Sequence, residues 1–123
     1  MIRIKFENQE VVLGDTFRGW VSWTSEKDVT PRKVSLIVGW HTEGRGSTAQ
    51  DDVVTCEHEC GPVSEGQTIE MPFEVTIPHD VPVSFDGELI RLIWSLKVRV
   101  DLPWAFDLKA DREFRVLGPS VPL

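Results

Sequence analysis

The sequence predicts an all-β fold, a sandwich of two antiparallel sheets, and three of its features carry that prediction. Apolar side chains return at every second position over several stretches, the period of a strand rather than a helix. Those stretches are short and are separated by turn chemistry: Leu13-Gly14-Asp15, Asp28 to Pro31, Glu43 to Ser47, Gly61-Pro62, Ser64 to Gly66 and Asp86-Gly87. No run of about a dozen residues carries apolar side chains at helical spacing. A lone sheet patterned this way would leave one apolar face in water, so a second sheet must cover it. The expectation is one β-sandwich domain of seven or so short strands over residues 1–123.

The strands follow in chain order. Ile2, Ile4 and Phe6 share a phase and form the first. Thr16 to Thr24 comes next, with Phe17, Gly19, Val21 and Trp23 on one face and Trp20 on the other. Gly19 inside this strand implies a close approach or a bulge, and Gly14 before it supplies a turn with positive φ. In Val34 to His41, Val34, Leu36, Val38 and Trp40 oppose Ser35, Ile37, Gly39 and His41. Asp52 to Glu57 is the least regular candidate. Gln67 to Ile77 alternates Ile69, Met71, Phe73, Val75 and Ile77 with Glu70, Pro72, Glu74 and Thr76. Pro72 has no N–H to give a ladder, which predicts an edge strand or a bulge.

The clearest strand is Leu89 to Asp101, reached through a hairpin-like turn at Asp86-Gly87. Ile90, Leu92, Trp94, Leu96, Val98 and Val100 fall on one face, Arg91, Ser95, Lys97, Arg99 and Asp101 on the other, with Leu89 and Ile93 as apolar exceptions. Last, Phe106, Leu108, Ala110, Phe114 and Val116 share a phase that Arg112 interrupts.

Composition narrows the function classes. An apolar fraction of 41% and a charged fraction of 27% exclude a disordered chain. Thirteen basic against twenty acidic residues, a net charge of −7, work against binding to nucleic acid or an anionic membrane. The longest apolar runs fall far short of the ~20 residues a membrane-spanning helix needs. The N-terminus alternates apolar and basic residues without a secretory apolar core, so the chain is expected in the cytoplasm.

Cys56-Glu57-His58-Glu59-Cys60 is the one cluster with metal-ligand chemistry. In an extended strand its two cysteines lie ~13 Å apart, too far to share one ion or a disulfide. A turn at Glu57-His58-Glu59 would rescue either, so Cys56, His58 and Cys60 stay as weak candidates against a strand end with a buried thiol and an acidic rim. No nucleophile signature, phosphate-binding loop or flanking carboxylate pair is recognisable, and no cofactor is called for. A hydrolase with unrecognised residues is the remaining catalytic alternative. Arg91, Lys97 and Arg99 form a basic stripe that is either an ordinary solvent face or a docking surface for an acidic partner peptide. No aromatic interleaves with it on the same face, which again disfavours nucleic acid. Trp20, on the outer phase of its strand, and Trp104, in a Pro-containing loop, are candidate anchors of a protein–protein surface.

Three stretches resemble a known family. Leu13-Gly14-Asp15-Thr16-Phe17-Arg18-Gly19-Trp20-Val21 is similar to the "pG-x-x-v-x-G-x-V" opening of arrestin-like domains. Ile77-Pro78 with Val81-Pro82-Val83-Ser84-Phe85 resembles their "iP…pSf" segment, and Gly87 with Ile90 to Val100 resembles the strand that follows, Trp94 standing at its aromatic position. The order also resembles that of the bacterial sporulation-control proteins and the retromer subunit related to arrestins. The resemblance implies an all-β, immunoglobulin-like sandwich of about seven to eight antiparallel strands, used as a non-catalytic adaptor that binds a protein partner. Those families carry two such domains in tandem and this sequence holds one, so a homodimer is expected to stand in for the missing half. An exposed strand edge would then accept a peptide by β-augmentation.

Overall fold

The computed structural model describes residues 1–46, 48–103 and 105–119. Among them the alternation becomes nine strands: β1 (Ile2–Phe6), β2 (Glu10–Val12), β3 (Thr16–Thr24), β4 (Lys33–Gly44), β5 (Gln50–His58), β6 (Thr68–Thr76), β7 (Phe85–Asp86), β8 (Ile90–Asp101) and β9 (Leu108–Leu117). A small sheet of three strands runs β1-β3-β6, and a large sheet of six runs β2-β9-β8-β4-β5, with β7 paired to β8. No helix among the described residues is long and apolar enough to cross a membrane.

The two sheets close on the apolar phase of each strand. From the small sheet come Phe17, Val21 and Trp23 of β3 and Met71, Phe73 and Val75 of β6; from the large sheet come Val34, Leu36 and Val38 of β4 and Trp94, Leu96, Val98 and Val100 of β8. Trp94 is fully buried, and its indole Nε1 donates to Pro82 O at 2.9 Å. A buried indole with an acceptor avoids the cost of an unpaired donor, and the bond ties the segment before β7 to the core. Gly19 is required by a close approach: a Cβ there would collide with Lys5 O and lie 2.6 Å from the Phe73 ring. Gly14 has φ +85°, the left-handed turn expected of it. Pro72 does lie on an edge strand, β6.

Three expectations are corrected in detail. The pairing is antiparallel except that β2 runs parallel to β9, Glu10 opposite Arg115. The chain leaves the small sheet after Phe6 and joins the large one within a few residues, so three residues are all that pair there, too few to show a period. β7, with two residues, is equally invisible to periodicity. Phe106 keeps the phase of β9 but precedes it and is 97% exposed. Arg112, the break in that phase, faces Phe6 instead: its guanidinium stands 5.1 Å from the ring centroid and Nη1 donates to Ile4 O at 2.6 Å. A cation thus caps the aromatic core where the small sheet stops short of covering it.

Two phenylalanines of similar sequence context therefore have opposite roles. Phe114→Ala is expected to cost about 3–5 kcal/mol in urea-induced unfolding, because it opens a cavity between the sheets. Phe106→Ala is expected to stay within about 0.5 kcal/mol of the unaltered chain in the same measurement.

Candidate protein-interaction surface

β4, β8 and β9 are hydrogen-bonded neighbours, and their register decides what meets on the outer face of the large sheet. One row across it holds Ile37, Lys97 and Asp111; the next holds Ser35, Arg99 and Lys109; a third holds Gly39, Ser95 and Glu113. Small residues at Ser35, Gly39 and Ser95 leave the face low between its long charged neighbours. A cavity of about 450 Å³ results, lined by Ile37, Lys97, Arg99, Lys109 and Asp111. A second, of about 440 Å³, adjoins it through the shared Lys97 and Asp111 and reaches His41 and Ser95. Together they form a trough across three strands with Lys97 at its middle.

The charges of the trough are unequally engaged. Arg99 donates from Nε and Nη2 to Oδ2 of Asp107. That hydrogen bond, with the guanidinium charge, holds the Asp107 carboxyl below the usual carboxylate value. Lys97 and Lys109 have no acidic side chain within ion-pair distance among the described residues. Two ammonium groups and a guanidinium already bonded to Asp107 therefore lie around the carboxylate of Asp111, over the apolar floor of Ile37. An acidic segment with an apolar side chain would satisfy both.

The structure divides the basic stripe read from the sequence. Lys97 and Arg99 share a cavity, but Arg91 lies six positions from Lys97 along an extended strand, about 20 Å away. Arg91 is already engaged, at 3.0 Å by Asp86 and 3.7 Å by Glu43. Lys109 escapes a strand-by-strand reading because it lies on another strand, and only the β8–β9 register brings it opposite Arg99. Trp20 is 47% exposed on the outer face of the small sheet, on the far side of the sandwich from the trough. Trp104 lies outside the described residues.

The cysteine cluster gains no turn. β5 stays extended through Cys56 to His58, and Cys56 and Cys60 are free thiols packed against the core edge. Burial pushes the Cys60 thiol up from its ordinary value, which lowers its thiolate fraction. Among the described residues no three His, Cys, Asp or Glu side chains converge on a point where a metal ion would fit. The hydrolase alternative finds only fragments. His41 is hydrogen-bonded to Glu43 at 3.0 Å, and Ser95 shares a cavity with His41. Ser95 is 2% exposed, and no hydrogen bond joins it to the imidazole among the described residues, so the nucleophile–base contact is missing.

The Arg99–Asp107 bond makes a titration prediction. A carboxyl with a lowered folded-state pKa adds stability above its unfolded value, about 3.9 for Asp, and loses it as pH falls through the lower folded one. Followed by NMR, Asp107 is expected to titrate below about 3.9, and Arg99→Met is expected to move its midpoint upward.

A family model for the arrestin (or S-antigen) N-terminal domain matches residues 64–120. Arrestin domain-containing protein 17 of Caenorhabditis elegans is 35% identical over 49 residues, which are 40% of this chain and 12% of that protein. Among solved structures, the sporulation control protein Spo0M of Bacillus subtilis superposes with a TM-score of 0.77 at 15% identity, over 94% of this chain and 48% of its own. The chain thus spans about half of that structure and about an eighth of the worm protein. The matched segment runs from before β6 through β9, and the superposition extends over nearly the whole sandwich. The chain has the fold of an arrestin-like β-sandwich.

Proposed function

We propose that this sandwich is a non-catalytic adaptor module that holds an extended, acidic segment of a protein partner in the trough on its large sheet. The observation that carries this is the cavity lined by Lys97, Arg99 and Lys109 over Ile37. Lys97 and Lys109 are uncommitted within the described residues, and Arg99 is fixed by Asp107 so that its orientation is set in advance. Such a surface steers an acidic partner toward it and then rewards one apolar side chain lying on Ile37. The arrestin domain named in the worm relative and the family match favour an interaction role over catalysis.

The register also weighs face against edge. β5 is the longest edge strand of the two sheets free of proline, and its exposed side chains include Asp51, Asp52 and Glu57. Like charges beside a pairing edge repel an acidic strand. The acidic partner therefore belongs on the face, and β-augmentation at β5 would require a partner of the opposite charge. A cytoplasmic setting belongs to the same proposal.

The test uses a fluorescent peptide of alternating Glu and Val. Lys97→Glu with Lys109→Glu is expected to weaken its binding at least about tenfold, and added salt is expected to weaken the unaltered protein's binding as well. Arg91→Glu, on the same strand but outside the trough, is expected to change it less than about twofold. Equal binding by the double variant overturns the proposal.

A further inference from the structure

The outward face of the small sheet carries a pattern that is complementary to itself. Register sets Lys5, Trp20 and Pro72 in one row and Arg3, Ser22 and Glu70 in the next, with the Arg18–Glu74 ion pair on the other side of Trp20. The β1 edge thus carries Arg3 and Lys5, with Glu7 beyond them opposite Arg18, and the β6 edge carries Glu70 and Glu74, with Trp20 between the two edges. Trp20 is 47% exposed although it sits on the central strand of its sheet. Arg18 and Glu74 satisfy each other, but Arg3, Lys5 and Glu70 form no ion pair among the described residues. Their charges are available to something outside the chain.

We infer that this face is where two copies of the chain meet, about a twofold axis that runs along β3 between the stacked sheets. Rotation about that axis lays β1 of one copy over β6 of the other. Arg3 then faces Glu70 of the second copy, and the reciprocal pair forms by symmetry. Lys5 comes over Pro72 of the second copy, flanked by its two glutamates. Trp20 meets Trp20 at the centre, where burial of a large aromatic yields most of the contact energy. Each Arg18 stays with its own Glu74, which removes the like-charge contact near the axis. A twofold across the strands would instead set Lys5 on Lys5 and Glu70 on Glu74, so the charges select the first axis. Aligned stacking of two sheets, about 30° off parallel, is the ordinary way for such faces to pack. A uniformly charged stranger would satisfy one edge and be repelled by the other; a second copy satisfies both. Three strands spaced ~4.8 Å apart make a face only roughly 10–15 Å across, small beside a standard interface of ~800 Å² per partner, so the dimer is expected to dissociate in the micromolar range.

The trough lies on the opposite layer and stays open in this arrangement, so peptide binding and self-association are measured independently and fail independently. The experiment is sedimentation velocity on the full chain from micromolar to roughly 0.5 mM, well above a micromolar dissociation constant. Reversible dimerisation is expected, weakened at least about tenfold by Trp20→Ala. Arg3→Glu and Glu70→Arg are each expected to weaken it likewise, because each sets like charges face to face. An equimolar mixture of those two variants is expected to dimerise as the unaltered chain does, since positions 3 and 70 are again opposite in sign at both of their contacts in the mixed dimer. A monomer throughout the range overturns the inference. So does a dimer that all three substitutions leave unchanged, or a mixture that fails to recover.

Discussion

Phe17 of the small sheet lies against Phe114 of the large one, ring centroids 4.1 Å apart and planes 20° from parallel. Phe6 closes on both, at 4.9 and 5.7 Å, while Phe73 reaches Phe17 at 5.6 Å and Trp94 reaches Phe114 at 6.1 Å. Five aromatic residues from β1, β3, β6, β8 and β9 therefore meet in one cluster that spans the gap between layers. Neither sheet can keep its apolar face dry alone, and offset or tilted rings fill that gap at interior density. The constraint reaches the surface as well. With one phase of each strand fixed inside, the other phase has no freedom, so Lys97, Arg99 and Trp20 are turned outward by the same parity that buries their neighbours.

What can be read from the chain follows from how long each pattern runs. β3, β6 and β8 alternate over 9, 9 and 12 residues, enough for the order of residues alone to make their parity unambiguous. β2 and β7, of 3 and 2 residues, are too brief to own a period and exist because a neighbour offers them an edge. Phe106 shows the limit of parity: phase says which way a residue would point, but not whether the strand has begun.

The surface is legible only in part, for a related reason. A single strand shows which residues share its face, and so Lys97 and Arg99 are visible together. Lys109, Asp111 and Ile37 belong to the same cavity through cross-strand register, which is a property of pairing and not of local sequence. The same information removes Arg91, whose charge is absorbed by Asp86 and Glu43 once β7 and β4 are placed beside it. For the cysteines the decisive fact is the continued extension of β5, which keeps their side chains in line rather than gathering them.

The first strands draw their neighbours from very different places in the chain. β1 pairs with β3 nearby, yet β2 lies along β9, and Arg112 bonds Ile4 across 108 positions of sequence. Translation makes those partners at opposite times. The opening residues leave the ribosome long before the segment that will cover them, so the lip of the sandwich beside Phe6 cannot be sealed until β9 has emerged. During that interval the nascent layers have no Phe114 to clasp, and the apolar faces it would cover stay open to solvent.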